Sequence, residues 1–243
     1  MKILCIIPAR AGSKGLPNKN VANFQGRPLI HWPILYVLES GIDLDLLVYT
    51  DGKEIADAAE ELGEFTPVSR CQSLSLDTTT TEVTLRRALE QMEIYHNVKY
   101  DCVLFLTCTE IFRDLDWLNQ GLQKMLDNEV ESTFVVETTY KNFWIINKSN
   151  EPKRIRDEMK VHGNRQEKRP MFQENSGLCC FTRPKILNEG YRLGNKVSFL
   201  INETIPFNVD IHSQKDLDLA DHLLKFYRQI KHPASAIFDK YRK

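Results

Sequence analysis

The stretch IIPARAGSKGLPNKN, residues 6–20, marks the place where the first predicted strand passes into a basic loop. Its first two residues, Ile6 and Ile7, are the end of an apolar, β-branched run that begins at Ile3. Such a run is typical of a buried parallel strand. The stretch contains Arg10, Lys14 and Lys19, two glycines and no acidic residue. Glycines let a backbone approach a ligand closely, and successive amides beside basic side chains bind anions. This composition predicts a site for a ligand with several phosphates; a solvated turn is the alternative.

The loop lies where such a site is expected, because open α/β sheets bind ligands beyond the carboxyl ends of their strands. It is not a Walker A loop, since Gly15 is followed by Leu16 and Pro17 rather than by Lys and Ser or Thr. The GxGxxG pattern of dinucleotide-binding proteins is also missing from it.

Strand and helix patterns alternate after this loop. The predicted strands are 3–7, 45–50, 65–68, 101–106 and 132–137, and the predicted helices start near Pro28 or centre on 55–62, 85–92 and 115–126. Such spacing suits right-handed βαβ units. We therefore expect a Rossmann-like, mostly parallel sheet with helices on both faces.

The pattern changes in the second half of a single domain, residues 1–243. Residues 148–174 are polar, basic and weakly periodic, so we expect an inserted arm within 140–175. Strand character returns at 197–201 and 204–209, and a last helix is predicted over 213–227 with Ser213 as its cap. Residues 229–243, interrupted by Pro233, are expected to form a loose tail.

Composition narrows the function. The formal net charge is −1 over 243 residues, which does not favour nucleic acid as a partner. The six cysteines form no CxxC pair and mostly lie in apolar runs, which predicts buried thiols in the reducing cytoplasm. No apolar run is long enough to span a membrane, and the first is too short for a signal peptide.

The loop IPARAGSKGLPNKN resembles the signature of the CMP-sialic acid synthetases, or acylneuraminate cytidylyltransferases, of the type (I/L)xARxxSKxxxxKN. The similarity continues over most of the chain, in the segments GRPLIHWPI, VYTDGKEIADAAEELG, SRCQSLSLDTTTTE, NRQEKRPMFQENSG and NVDIHSQKDLDLADHL. The resemblance implies a nucleotidyltransferase-type fold. It also implies transfer of CMP from CTP to the anomeric hydroxyl of a 2-keto-3-deoxy sugar acid, with release of pyrophosphate and a requirement for Mg²⁺.

By the same resemblance, the expected nucleotide-binding residues are Arg10, Ala11, Gly12, Ser13, Lys14, Lys19, Asn20, Arg70 and Thr80. The expected catalytic residues are Arg10, Lys19, Asp210 and His212. Asp210 matches the first metal-binding acid of the family's DID motif. The alternative interpretation is that Asp210 is an ordinary acid at the end of a strand. His212 replaces the second acid. Asp210 could suffice as the metal ligand, His212 could orient a water or accept the sugar's proton, or the site could be impaired.

The acceptor side departs further from the family. The segment LTCTEIFR, residues 106–113, stands where the family has LQPTSPLR. Sugar contacts are expected from Thr107, Thr109, Glu110 and Arg113. A glutamate in this loop could bind sugar hydroxyls or an amine, and would repel a carboxylate placed nearby; alternatively, Glu110 is a surface residue that points away.

The basic arm completes the expected site. In the family this region forms a dimer contact and supplies basic groups to the neighbouring site. By resemblance, Arg165 would bind the substrate carboxylate, with Gln166 and Asn175 as further sugar contacts. A homodimer is therefore expected. The alternative functions are a related enzyme acting on a Kdo-type or other sugar, or a catalytically silent homologue that binds nucleotide or sugar.

Overall fold

The computed structural model describes residues 1–13, 15–63, 68–71, 74–75, 78–161, 163–205 and 208–242. Their strands are β1 Ile3–Pro8, β2 Asn23–Phe24, β3 Arg27–Pro28, β4 Asp45–Tyr49, β5 Cys102–Phe105, β6 Ser132–Thr139, β7 Trp144–Ile146, β8 Pro152–Arg154, β9 Met171–Glu174, β10 Cys180–Thr182 and β11 Val197–Ile201. The helices are α1 His31–Glu39, α2 Lys53–Glu60, α3 Thr81–His96, α4 Asp116–Met125, α5 Pro184–Asn188, α6 Gln214–Gln229 and α7 Ala236–Lys240.

The central sheet has seven strands in the order β11-β6-β10-β5-β1-β4, with β9 paired to the end of β6. Strand β1 runs parallel to both of its neighbours, and β11 runs parallel to β6. Only β9 and β10 run against the others. The sheet is therefore mostly parallel, as predicted.

Alternation along β1 explains why helices cover both faces. Ile3, Cys5 and Ile7 enter one apolar cluster, which also contains buried residues of α1, α2, α4, α6 and α7. Leu4 and Ile6 enter a second cluster with residues of α3 and α5. All five side chains are nearly inaccessible, and burying each of the four leucine and isoleucine side chains stabilises the fold by about 1.5–3 kcal/mol. The predicted architecture is confirmed.

Several element boundaries differ from the sequence prediction. The first helix begins at His31 rather than at Pro28, because Pro28 pairs with Asn23 in a hairpin whose turn residues, Gln25 and Gly26, have positive φ. Of the strand expected at 65–68, residues 65–67 lie outside the described part. Asn208 and Val209 are not in a strand, and residues 206–207 are likewise not described.

The C-terminal segment was expected to be a loose tail, and the structure differs. Phe238 of α7 is fully buried and packs against the rings of Trp32 and Phe24. Asp239 pairs with Arg228 of α6 at 2.6 Å. The sequence pattern suggested a tail because Pro233 interrupts the helical periodicity, but the short α7 folds back and buries one large aromatic side chain.

The arm, residues 140–175, leaves the sheet after β6 and returns through β9. It contains the β7–β8 hairpin and two short 3₁₀ turns, Asp157–Lys160 and Arg165–Glu167. Several large apolar side chains of the arm are exposed in the single chain: Phe143, Trp144, Ile145, Ile146, Ile155, Val161 and Phe172. Because β9 pairs with β6, the last strand of the predicted arm belongs to the main sheet.

The cysteines are all free thiols, and only Cys71 is exposed. Burial raises the pKa of the Cys5, Cys102, Cys108, Cys179 and Cys180 thiols, which keeps them protonated. Within the described ranges, no helix is both long and apolar enough to cross a membrane.

Candidate functional site

A basic cleft of about 400 Å³ lies beyond the carboxyl ends of β1 and β5. The side chains of Arg10, Ser13, Lys19 and Arg70 line it, together with those of Asn20, Thr79, Thr81, Thr107, Thr109 and His212. The parallel strands bring the basic loop, residues 10–20, beside segments from distant parts of the chain. The cleft thus brings together several of the residues from which the sequence predicted a phosphate site.

Hydrogen bonds hold the basic loop in place. The Ala11 amide donates to Oδ1 of Asp51 at 2.8 Å, and Nδ2 of the buried Asn20 donates to the Arg10 carbonyl at 3.0 Å. Gly12 has φ +71°, a conformation that other residues adopt at a cost. Lys14, also predicted to bind nucleotide, lies outside the described residues. The loop is therefore tied both to the end of β4 and to its own base.

Lys19 and Arg70 place positive charge on the walls of the cleft. Burial lowers the pKa of the Lys19 ammonium, and the nearby Asp210 carboxylate opposes this shift. Arg70 is buried, its amide donates to the Thr50 carbonyl at 2.9 Å, and its guanidinium donates to the Leu74 carbonyl. Charges that are partly shielded from water bind an anion more strongly than fully exposed ones.

Thr80 does not line the cleft, although the sequence predicted a nucleotide contact there. Its hydroxyl caps α3 by accepting a hydrogen bond from the Val83 amide at 3.4 Å. The residues on either side of it, Thr79 and Thr81, line the cleft instead. Because the Thr80 hydroxyl is used by the helix backbone, Thr79 and Thr81 rather than Thr80 line the cavity.

Asp210 and His212 lie at the edge of the cleft. Oδ2 of Asp210 is 2.8 Å from Nε2 of His212, and both side chains are largely exposed. The carboxylate of Asp216 accepts from the His212 and Ser213 amides and closes a capping box at the start of α6. Asp216 is thus the acid of a helix N-terminus.

Gly15 contacts the same segment. A Cβ atom at this position would overlap the carbonyl oxygen of His212. The basic loop and the segment that carries Asp210 are therefore in direct contact, which the sequence did not indicate.

A second cavity of about 650 Å³, the acidic chamber, adjoins the basic cleft and shares Thr81, Phe105 and Thr107 with it. Its charged lining residues are Glu110, Glu137, Glu174, Arg192 and Asp210. Arg192 pairs with Glu174 at 2.7 Å. The two cavities thus have opposite charge and meet at Thr107.

Glu110 faces this chamber rather than bulk solvent. Its Oε2 is 3.2 Å from the Thr107 hydroxyl, and burial raises the pKa of its carboxyl, with Asp210 adding to the rise and Arg113 opposing it. Its backbone forms an antiparallel bridge with Asp210. The interpretation of Glu110 as a surface residue that points away is wrong.

Arg113 was expected to contact the sugar, but it lies beneath the cavities and is 5% exposed. Its guanidinium donates to the carbonyls of Thr107, Gly177 and Leu178 at 2.6, 3.1 and 2.6 Å. A planar guanidinium offers five donors in a fixed fork, which suits this bridging position. The Arg113 guanidinium therefore supports the backbone around Thr107 and Gly177 and does not line either cavity.

The remaining predicted residues are divided between chamber and arm. Asn175 lines the acidic chamber. Arg165 and Gln166 are exposed on the arm and line neither cavity; the Arg165 guanidinium lies 4.7 Å from the ring centre of Tyr140. The single chain does not bring this pair to the site.

Sequence reasoning missed Asp51, Glu137, Gly177 and Arg192. Asp51 follows β4 and stands at the carboxyl edge where ligands bind, so its position was a usable signal. Glu137 lies within β6, and Gly177 and Arg192 lie in loops. The pairing of β6 with β9 and β10 brings Glu137 and Gly177 to one chamber, and the ion pair with Glu174 of β9 places Arg192 there.

A family model described as Cytidylyltransferase matches residues 4–229. The chain belongs to the cytidylyltransferase family. It is 29% identical over 230 residues to the pseudaminic acid cytidylyltransferase of Campylobacter jejuni subsp. jejuni, covering 93% of this chain and 97% of that protein. It is 28% identical over 238 residues to the CMP-N,N'-diacetyllegionaminic acid synthase of Legionella pneumophila subsp. pneumophila, covering 94% and 99%.

A solved structure of CMP:2-keto-3-deoxy-manno-octonic acid synthetase complexed with CTP superposes with a TM-score of 0.65 at 16% identity, covering 93% of this chain and 99% of that one. This likeness shows the fold. The expected membership in the sialic-acid-type CMP synthetase family is confirmed, and this cytidylyltransferase is an enzyme.

Proposed function

We propose that this cytidylyltransferase transfers CMP from CTP to the anomeric hydroxyl of a nine-carbon 2-keto-3-deoxy sugar acid and releases pyrophosphate. One observation carries the proposal: a basic cleft of about 400 Å³ meets, at Thr107, an acidic chamber of about 650 Å³. A polyphosphate fits the first cavity, and a hydroxyl-rich sugar fits the second. The named substrates of the two full-length relatives support a sugar acid of the pseudaminic or legionaminic type.

The basic cleft supplies most of the catalysis in this proposal. Phosphoryl-type transfer depends on positioning and on charge stabilisation more than on covalent chemistry. Arg10, Lys19 and Ser13 bind the triphosphate, and Lys19 stabilises the charge that develops on the leaving pyrophosphate. The burial that lowers the pKa of Lys19 also strengthens its attraction for phosphate.

A divalent cation is part of the proposal. Mg²⁺ is usually held by one or two carboxylates together with substrate phosphates and waters, so Asp210 beside the cleft fits this role. No group of three metal-binding side chains occurs among the residues that the structure describes, and substrate phosphates and waters would supply the other ligands. When bound, the ion neutralises phosphate charge. His212, a poor Mg²⁺ ligand, holds Oδ2 of Asp210.

The reaction joins the two cavities. The sugar's anomeric oxygen forms a bond to the α-phosphorus of CTP while the bond from that phosphorus to the bridging oxygen of pyrophosphate breaks. The hydroxyl proton leaves to solvent or to a base at the junction. Thr107 lies at this junction and orients the acceptor, and Thr109 lines the adjoining basic cleft.

The decisive experiment measures pyrophosphate release with CTP, Mg²⁺ and a panel of nine-carbon and eight-carbon keto acids, with UTP and ATP as controls. Release with CTP and one nine-carbon acid supports the proposal. Release only with an eight-carbon, Kdo-type acid would show that this acid, and not a nine-carbon one, is the acceptor. Binding of CTP without release from any sugar contradicts the proposed reaction and favours a silent binding protein.

Variants assign the roles. Lys19→Ala is expected to lower kcat about 100-fold or more, as loss of a charge-stabilising donor does elsewhere. Lys99→Ala is the matched control, because Lys99 pairs with Glu93 beyond the end of α3, away from the cleft.

Addition of EDTA is expected to stop turnover and Mg²⁺ to restore it. Turnover that persists in EDTA contradicts the metal assignment.

We also propose a homodimer formed through the arm. The side chains of Trp144, Ile145 and Ile146 are all exposed on β7, and clusters of exposed apolar side chains mark interaction surfaces. In a dimer, Arg165 and Gln166 of one subunit would be free to reach the partner's acceptor site. The buried free thiols fit the reducing cytoplasm as the location.

A further inference from the structure

The floor of the acidic chamber consists of two loops joined by one buried side chain. The first loop is residues 107–113 and the second is residues 175–178. Arg113 donates to the Thr107 carbonyl on the first and to the Gly177 and Leu178 carbonyls on the second. The Thr107 amide adds a hydrogen bond to the Gly177 carbonyl at 2.9 Å. These bonds fix the two loops relative to each other.

Gly177 leaves the space in which Glu110 lies. A Cβ atom on Gly177 would overlap Oε2 of Glu110 and would stand 2.8 Å from the Thr107 methyl carbon. Real Cβ atoms essentially never approach other atoms so closely, so any side chain here must displace the carboxylate. Because Gly177 has no side chain, the Glu110 carboxylate has room for its observed position.

The carboxylate of Glu110 retains unused hydrogen-bonding capacity. An ionised carboxylate accepts about four hydrogen bonds. Thr107 supplies one side-chain contact, and no ion pair to Glu110 is found in the described part of the chain. Because Glu110 lines the chamber beside the cleft, a donor on the ligand can complete its hydrogen bonding.

We propose that Glu110 determines acceptor specificity by accepting a hydrogen bond from an N–H or O–H group of the sugar acid, and that Gly177 and Arg113 are positioning residues for it. The inference rests on the proposed function, since the acidic chamber holds the acceptor only if that reaction occurs. It assigns to Arg113 and Gly177 a role that acts through Glu110.

A double-mutant cycle tests this dependence. The variants are Gly177→Ala, Glu110→Ser and the double variant, with serine chosen because the resembled family motif has it at this position. Each is assayed for pyrophosphate release with the acceptor found in the panel. Gly177→Ala is expected to raise the acceptor KM about tenfold with the CTP KM within about twofold, as loss of a contact to one substrate does.

Glu110→Ser is expected to raise the acceptor KM by a similar factor. Adding Gly177→Ala to it should cause a smaller change than Gly177→Ala causes in the wild type, because the displaced carboxylate is already absent and only the contact with the Thr107 methyl remains. Fully additive effects, or an equal rise in the CTP KM, would show a general structural role and overturn the inference. An unchanged acceptor KM in Glu110→Ser would overturn it while the proposed function stands.

Arg113 is tested by Arg113→Lys, which keeps the charge but not the planar fork that bridges three carbonyls. It is expected to raise the acceptor KM and leave the CTP KM unchanged, with folding verified by thermal unfolding. If this variant does not fold, the Gly177 cycle still decides the inference. If the wild-type enzyme turns over no sugar acid, the proposed function fails and the inference fails with it.

Discussion

Gly15 lies against the main-chain carbonyl of His212, where the basic loop meets the segment that carries Asp210. A Cβ atom at Gly15 would overlap the carbonyl oxygen and stand 3.4 Å from the carbonyl carbon. Neither group is the flexible end of a side chain, so one backbone segment must move. The φ angle of Gly15 lies outside the left-handed range, so the contact alone perturbs Gly15→Ala.

The size of the effect follows from the displacement. Restoring an ordinary contact requires the two segments to separate by on the order of 1 Å, and a misplacement of that size costs about 100-fold in rate. This corresponds to about 2.7 kcal/mol of transition-state stabilisation. We therefore expect Gly15→Ala to lower kcat/KM for CTP about 100-fold without unfolding the protein.

The assay is steady-state pyrophosphate release over a range of CTP concentrations, with thermal unfolding measured in parallel. Gly12→Ala is the matched control, since nothing lies within 4 Å of its Cβ and only the φ of +71° is unfavourable. That conformation costs an alanine about 1–2 kcal/mol of stability, so the control should lose less activity than Gly15→Ala. If Gly15→Ala keeps turnover within threefold of wild type, or matches Gly12→Ala, the inferred contact does not position the site.

Three further predictions concern stability and assembly. Phe238→Ala should lower the free energy of unfolding by about 3–5 kcal/mol in urea titrations, whereas truncation of the partly exposed Phe226 should change it little; equal effects would show that α7 is not docked. Lys185 and two backbone amides hold the pKa of the Glu131 carboxyl at about 2. The ionised carboxylate therefore stabilises the folded protein fully above the unfolded-state pKa of about 4.3, and this stabilisation is lost as the pH falls through about 2. Glu131→Gln should therefore lower Tm at pH 7, with the difference from wild type closing at low pH; a constant difference would refute the assignment. Ile146→Lys should convert the proposed dimer to a monomer in sedimentation analysis, and an unchanged mass would place the interface elsewhere.

The sequence predicted the elements whose signals are local. The apolar run of β1 and the helical repeat of α6 with its Ser213 cap depend on contacts within a few residues, so periodicity reveals them. The basic loop was also readable, because glycines and basic residues after a first strand have a direct physical meaning. Its position relative to Asp210 was inferred from the resemblance to a family.

The acceptor side required the tertiary structure. The sequence places Arg113 in a motif but does not show that its guanidinium turns inward, because burial depends on the packing of Tyr36 and of the Gly177 turn. The docking of α7 was hidden for a similar reason: one phenylalanine in a short polar segment gives no periodic signal.

Local sequence signals were enough to predict the parallel strands β1, β4, β5, β6 and β11, the helices on both faces of the sheet and the basic loop, since these follow from alternation and composition along the chain. The tertiary structure was needed to reveal the antiparallel strands β9 and β10, the loops that share the acidic chamber, the room that Gly177 leaves for Glu110, and the contact of Gly15 with His212. These last features join residues that are tens to nearly two hundred positions apart, and a contact at such separation leaves no pattern in the neighbouring sequence.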